Sequence, residues 1–359
     1  MSPADSRQQP ATLVRNGTRG TLDTGANLIR RLADGQRHSG AALASELGIS
    51  RAAVWKAVRR TSQRFGLEIL ATRGQGYQLA TPLELLNAER IDATLSPAVR
   101  ERVGPIHCFA ELDSTNTWLL EQAAEGAPSG TCVLAERQTA GRGRRGRNWH
   151  SPFAANLYLS ILWRFDTGPA ALGALSLAAG ATVAQAVEAF GVKGVQLKWP
   201  NDIHWQERKL GGLLIEVAGE TQGPSRAVLG LGLNLNMPAT AGNSIDQPWV
   251  DVREACEGQS LERNTIAAAC IERLTTLLAS FLHQGPKPFI DAWRRFDGYR
   301  DQPASLHWSE HQVQGIYRGI DDHGALLLQV GTETRHFAAG EFSLRPTRAA
   351  ANNSDTQPR

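Results

Sequence analysis

Cysteine is scarce in this 359-residue chain: Cys108, Cys132, Cys256 and Cys270 stand apart, with no Cys-x-x-Cys spacing. That excludes a zinc ribbon and a disulfide framework and leaves four reduced packing residues. Long apolar runs are missing too. No stretch approaches the roughly 18–20 residues that span a bilayer, and the polar N-terminus has no hydrophobic signal core. A cytoplasmic protein with no membrane partner is expected. Nor is one sign of charge in excess, because 38 Lys and Arg face 35 Asp and Glu for a net charge of +3. So balanced a chain cannot wrap nucleic acid as a histone does, and any DNA contact must come from a local basic face.

What is present is an ordinary globular composition, 42% hydrophobic and 20% charged, at a length that predicts two or three domains. Periodicity changes near Pro82 and again between residues 298 and 303. This divides the chain into units at 22–81, 83–297 and 298–346, with no internal repeat. The polar ends, 1–20 and 347–359, are expected to be disordered.

The first unit reads helix, helix, helix, hairpin. Ser39 can cap a short helix whose Leu43 and Leu47 share a face, Gly48 supplies a turn, and Ser50 caps the next helix. Val54 and Val58 form the apolar stripe of that second helix, which leaves Arg51, Lys56, Arg59 and Arg60 for solvent or phosphate. Residues 67–79 alternate and break at Arg73-Gly74-Gln75-Gly76, as a two-stranded wing with arginine at its tip would. The same pattern fits a plain packing module; the basic residues on one helix and the wing favour DNA.

The middle unit alternates strands (106–110, 131–136, 156–164, 195–199, 210–217, 227–234) with helical stretches at 172–190 and 261–282, a mixed sheet backed by helices. Beyond residue 298 short alternating segments at 304–308, 312–320, 325–330 and 334–337 predict a small all-β barrel.

Three motifs carry chemistry. Gly141-Arg142-Gly143-Arg144-Arg145-Gly146-Arg147 follows a strand; its glycines permit close backbone approach and its guanidiniums can grip phosphate or carboxylate oxygens. It is neither a P-loop nor a dinucleotide fingerprint, and alone it also fits a solvated or nucleic-acid-binding loop. Lys198-Trp199-Pro200-Asn201-Asp202, with Lys209 before Gly211-Gly212, sets cations and a carboxylate on one hairpin, suited to a triphosphate with Mg²⁺. An exposed ion pair is the plainer reading. Gly230-Leu231-Gly232-Leu233-Asn234 clears one face of a strand for a ligand or another backbone.

Together with Asp113-Ser114-Thr115-Asn116 and Gln138, these motifs in this order resemble the bacterial biotin protein ligases, specifically the bifunctional type that also represses the biotin operon. The resemblance runs from about residue 28 to 345. It implies an N-terminal winged helix, a central class II aminoacyl-tRNA-synthetase-like mixed sheet and an SH3-like C-terminal β-barrel. It also implies a two-step reaction: biotin and MgATP give biotinyl-5′-AMP, and a lysine of the biotin carboxyl carrier domain of acetyl-CoA carboxylase then captures the biotin. The adenylate would also act as corepressor, promoting a homodimer that binds operator DNA.

By the resemblance, Ser114, Thr115, Asn116, Gln138, Gly141, Arg142, Gly143, Arg144, Lys209 and Gly212 would line the biotin site. Arg144, Arg145, Arg147, Trp149, Asn201, Lys209, Asn234 and Trp249 would meet ATP or the adenylate. Lys209, Arg144 and Asp202 would serve catalysis, with Asp202 helping to hold Mg²⁺. DNA would meet Arg51, Lys56, Arg59, Arg60 and Arg73. Gly211 stands where many relatives have alanine, and the start of the barrel lacks a lysine after Pro303. A lipoate or octanoate ligase is the alternative enzyme, and a ligand-sensing transcription factor without ligase activity the alternative class.

Overall fold

The computed structural model describes residues 23–238, 245–259, 261–308, 310–340 and 342–346; the ends expected to be disordered, 1–20 and 347–359, lie outside them. The winged helix forms from local signals. Helices α1 (Thr24–Leu32), α2 (Gly40–Leu47) and α3 (Arg51–Phe65) precede a hairpin of β1 (Ile69–Thr72) and β2 (Gly76–Leu79). The Ser39 and Ser50 hydroxyls accept from the backbone N–H of Ala42 and Ala53 at 3.0 and 3.2 Å, caps worth about 1 kcal/mol each. Gly48 ends α2 in the left-handed region at φ 64°, which a Cβ would disfavour. Leu28, Leu32, Leu43, Val54, Val58 and Leu79 close a small core of their own.

After the short helices α4 (Ala88–Thr94) and α5 (Pro97–Arg100), the central unit builds one seven-stranded sheet. Its strands are β3 (Ile106–Phe109), β4 (Cys132–Ala135), β5 (Leu157–Phe165), β6 (Val195–Lys198), β7 (Asp202–Trp205), β8 (Arg208–Gly219) and β9 (Ser225–Leu233), in the order β3-β4-β5-β9-β8-β7-β6. Only the β3–β4 pair is parallel, so the sheet is mixed as expected. Helix α6 (Thr115–Ala124) links β3 to β4, and α7 (Leu175–Ala189) links β5 to β6. The single turn α8 (Val252–Ala255) then leads to α9 (Arg263–Gln284) and α10 (Lys287–Phe296).

By length and composition, residues 169–189 and 263–284 are apolar enough to cross a membrane, which the sequence reading overlooked. Both are mostly buried: α7 hides Leu175, Leu177, Val183 and Val187, and α9 packs against it. At the head of α9 the Arg263 guanidinium meets Glu136 of the sheet at 2.8 Å and donates to the carbonyls of Glu84 and Asn156. Glu136 in turn accepts the Leu86 N–H, clamping the segment that follows the winged helix.

The C-terminal strands β10 (Pro303–Trp308), β11 (His311–Ile320), β12 (Leu326–Val330), β13 (Glu333–Phe337) and β14 (Ser343–Pro346) form an antiparallel sheet in the order β13-β12-β11-β10-β14. The expected all-β unit is present as this five-stranded antiparallel sheet, with no hydrogen-bonded closure between its end strands among the described residues. Among the described residues the edge strands β13 and β14 are not paired; Phe337 and Phe342 meet there ring to ring, centroids 5.2 Å apart. Nor is this sheet a separate core. Leu306, Tyr317, Leu326, Leu328 and Leu344 belong to the same apolar cluster as α7 and α9.

Candidate active site and basic helix

Two edges of the sheet's site face converge on one cleft. On one side α6 begins with Ser114 as its cap, and Ser114, Thr115 and Asn116 are all buried. The Gln138 carbonyl accepts from the Thr115 N–H and hydroxyl at 2.8 and 3.1 Å, and its amide donates to Ser151 at 3.3 Å. Ser160 donates to the Asn116 carbonyl at 2.6 Å, while the Asn116 amide donates to Glu216 at 2.8 Å and to the Leu214 carbonyl. Both polar side-chain atoms of Asn116 therefore have protein partners.

The arginine loop is a narrow hairpin, not a solvated coil. Gly143 N–H donates to the Arg147 carbonyl at 2.7 Å and Trp149 N–H to the Gly141 carbonyl at 2.8 Å. A 3-10 turn at Arg144–Gly146 puts Arg145 at φ 58°, a conformation that costs a non-glycine residue about 1 kcal/mol or more. The guanidiniums splay apart. Arg142 pairs with Glu216 at 2.8 Å, Arg144 donates to Asn201 at 3.2 Å and to the Gly340 carbonyl, and Arg145 reaches the His307 carbonyl at 3.4 Å. The last two contacts join the loop to the C-terminal sheet.

Opposite the loop lies a cluster of charge. Lys198 and Asp202 are register partners across β6 and β7. Lys209 Nζ is 2.8 Å from one Asp202 oxygen and Lys198 Nζ 3.8 Å from the other. Burial pushes the Asp202 carboxyl up, but the two ammonium groups outweigh it and hold it down at about 2. Lys198 is lowered, by burial first, against the pull of Asp202. Lys209 also lies over Trp149, 5.4 Å from the ring centroid. Fixed positive charge beside a carboxylate, walled by arginines, is what a developing phosphate or carboxylate charge would meet.

The glycines of β8 and β9 make room for side chains. A Cβ on Gly230 would fall 2.2 Å from the Asn116 carbonyl oxygen, and one on Gly232 would fall 2.5 Å from the Trp149 ring. Both glycines line the cleft, and the space they clear is shared with the site's own Asn116 and Trp149. At Gly211 a Cβ would meet the Gly232 carbonyl oxygen at 2.8 Å, so β9 would have to shift.

The cleft brings together nearly every expected ligand residue: Ser114, Thr115, Asn116, Gln138, Arg142, Gly143, Arg144, Lys209 and Gly212 from one group, Arg145, Arg147, Trp149 and Asn201 from the other. Asp202 lines it as well. Three expected residues are not among those that line the cleft. Gly141 is buried against the Trp149 carbonyl. Asn234 is 3% exposed, with its amide on the carbonyls of Val250 and Lys209. Trp249 bridges to Lys209 through its backbone. Sequence reasoning missed Ser160, Glu216 and the Phe342, Ser343 and Leu344 wall from β14. Glu216 had a signal, an acid inside an apolar strand.

On the winged helix, Arg51, Lys56, Arg59 and Arg60 of α3 are exposed, as is Arg73 at the wing turn. Trp55 joins that face at 52% exposure, with Arg59 over its ring at 5.9 Å. The rear of α3 packs inward: Phe65 meets Phe153 with ring centroids 4.2 Å apart and planes tilted by 32°, and Arg64 pairs with Glu111 at 2.6 Å.

Such a cleft, in a chain that begins with a winged helix and whose C-terminal sheet joins the cleft wall, defines a carboxylate-activating ligase that carries a DNA-binding unit. Residues 108–234 match the Biotin/lipoate A/B protein ligase family, residues 26–78 an HTH domain, and residues 310–345 the Biotin protein ligase C terminal domain. The bifunctional ligase/repressor BirA of Salmonella typhimurium is 41% identical over 318 residues, 89% of this chain and 96% of that one. The biotin--[acetyl-CoA-carboxylase] ligase of Mycobacterium tuberculosis is 35% identical over 237 residues, 65% of this chain and 86% of its own length. The structure of the Aquifex aeolicus biotin protein ligase in complex with biotin and ATP superposes with a TM-score of 0.58 at 29% identity, covering 67% of this chain and 99% of that one. The chain belongs to the family of bifunctional biotin ligase/repressors.

Proposed function

We propose that this protein joins biotin to AMP with ATP, transfers the biotin to a lysine of the carrier domain of acetyl-CoA carboxylase, and represses operator DNA through α3 and the wing. The observation that carries the ligase reading is the Lys198–Asp202–Lys209 cluster facing the arginine loop across one cleft. Ser114, Thr115, Gln138 and the loop backbone from Gly141 to Gly143 take the biotin ring in this reading, and Gly212 leaves room beside Lys209. Lys209 meets the biotin carboxylate and the α-phosphate, where negative charge develops. Arg144, Arg145 and Arg147 close over the adenylate, while Trp149 and Trp249 flank the nucleotide. Asn234 acts from behind, by fixing the backbone of Lys209.

A carboxylate acylates an amine only once activated, and the mixed anhydride must be kept from water until the carrier lysine arrives. One carboxylate, Asp202, beside the Asn201 amide suits a Mg²⁺ ion that takes its other ligands from triphosphate and water. When bound, that ion would offset phosphate charge. Asp202 would hold it, directly or through water, while Lys198 and Lys209 keep that carboxyl ionised.

The winged helix, ligase and C-terminal units span 22–81, 83–297 and 298–346 in this proposal, and the protein works in the cytoplasm. Homodimerisation through the central sheet has a structural support: β7 pairs with β8 no further than Gly212, so the stretch around Val217, 38% exposed, has β9 on one side only among the described residues.

Pyrophosphate exchange with biotin, and with lipoate as control, tests the ligase. Biotin-dependent exchange, carrier labelling and retardation of promoter DNA only with biotin and ATP are expected; exchange with lipoate alone would reject the reading. Arg144→Gly should raise release of biotinyl-AMP about tenfold or more, the loss of a charge-assisted contact. Unrelated lysines then become labelled. Unchanged retention and no stray labelling would remove Arg144 from that role.

A further inference from the structure

Lys209 sits at a bulge. Strand β7 pairs with β8 through Asp202↔Gly212 and Ile203↔Gly211, then skips Leu210, so that His204 faces Lys209. A bulge leaves a residue unpaired and re-aims the side chains next to it. Here the aim is consequential, since Lys209 arrives 2.8 Å from Asp202. Yet β7 is only four residues long, so its ladder alone holds this point weakly.

Lys209 itself is fixed by its bridge to Trp249 and by the Asn234 amide on its carbonyl; the facing strand β7 is held from outside the hairpin as well. His204 is 5% exposed, and its Nδ1 lies 2.7 Å from the hydroxyl of Tyr299, with the rings edge to face at 5.6 Å. Tyr299 is 4% exposed and lies where the chain leaves the central unit. There Asp297 bridges to Leu197 of β6, accepts the Tyr299 N–H at 3.2 Å, and accepts the hydroxyl of Tyr317 from β11 at 2.9 Å. Gly298 rests on Gln196, the register partner of His204. Part-buried and buried polar contacts thus lead from the C-terminal sheet through Tyr317, Asp297 and the backbone and hydroxyl of Tyr299 to His204, opposite Lys209.

We infer that Tyr299 is a positioning residue for adenylation: its hydroxyl fixes His204 at the bulge, and so keeps Lys209 and Asp202 aligned, coupling the seat of the C-terminal sheet to the reaction. The inference rests on the assignment of Lys209 and Asp202 to the reacting site. A buried imidazole deprived of its partner has to move or stay unsatisfied, and its movement shifts the strand on which the alignment depends. Misplacement of a charge-stabilising group lowers rate without changing how the distant end of the substrate binds.

The test uses the full-length protein, biotin and ATP, with initial rates of pyrophosphate exchange. Tyr299→Phe keeps the ring and loses the hydroxyl. It should lower kcat about five- to twentyfold, with the KM for biotin within about twofold of the parent and a folded, cooperative melt. His204→Leu should behave alike, whereas His204→Asn, which retains an acceptor near the Nδ1 position, should keep its rate within about threefold of the parent. An unchanged kcat in Tyr299→Phe overturns the inference. So does a change confined to the KM for biotin, or a loss in all three variants that only tracks the fraction unfolded. Failure of the parent protein to exchange with biotin would instead reject the ligase assignment.

Discussion

The winged helix and the C-terminal sheet are both small, both at an end of the chain, and built on opposite principles. The winged helix has its own core around Leu43 and Val54 and meets the central unit through a limited patch, Ile29 and Phe65 against Phe153 and Ala154. The C-terminal sheet gives Leu306, Tyr317 and Leu328 to the main core and Phe342, Ser343 and Leu344 to the cleft. One unit can loosen without taking the catalytic site with it; the other cannot. That division suits a protein whose DNA-binding end must respond to the ligand while its catalytic end stays assembled.

Leucines of equal burial in the two regions put the contrast under the most strain. Leu306 and Leu43 are both 0% exposed, and truncation of either to alanine should cost about 2–5 kcal/mol locally. Leu306→Ala should lower the main unfolding transition and the ligation rate together. Leu43→Ala should lower a separate, smaller transition and DNA retardation, with ligation within about threefold of the parent. A single common transition in calorimetry, lowered equally by both, would erase the distinction.

A smaller effect sharpens the DNA side. Arg59→Ala removes one exposed guanidinium from α3 and frees Trp55. Operator affinity should fall several-fold, and the slope of log K against log salt should lessen by about 0.9 if one phosphate contact is lost. Pyrophosphate exchange should not change. An unaltered slope would mean that Arg59 does not face the backbone of DNA.

The same contrast governs what could be read from sequence. In the winged helix the signals are local: Ser39, Gly48 and Ser50 sit within a turn of what they determine, and each has the expected role. The arginine loop and the Lys198 hairpin were legible for the same reason. Short helices such as α5 and α8 lack enough residues to show a period, and β14 is four residues ahead of a polar tail. Glu216 and Ser160 acquire their importance from Asn116, 100 and 44 residues away, a distance that no window along the chain captures. Asn234 was recognised by motif but its side chain turns to backbone carbonyls, because the strand end it occupies faces into the protein.

The mildest change addresses the joint that fuses the C-terminal sheet to the core. Burial raises the carboxyl of Asp297 to about 6, against the hydrogen bonds from Tyr317 and Tyr299 and the charge of Arg300, with Asp301 adding to the rise. A carboxyl raised in the folded state binds its proton there more tightly than in the unfolded chain. Its contribution is therefore full below the unfolded value, near 4, and is lost as pH rises through about 6. Asp202, held at about 2, has the opposite sign and loses its contribution only in stronger acid, so the comparison must be made between variant and parent at each pH. Asp297→Asn keeps a neutral acceptor for the Tyr317 hydroxyl. It should add about 1 kcal/mol at pH 8, a few degrees in Tm, and only about a third of that at pH 4.5. A difference independent of pH would show that Asp297 ionises freely, and that the joint is held by packing alone.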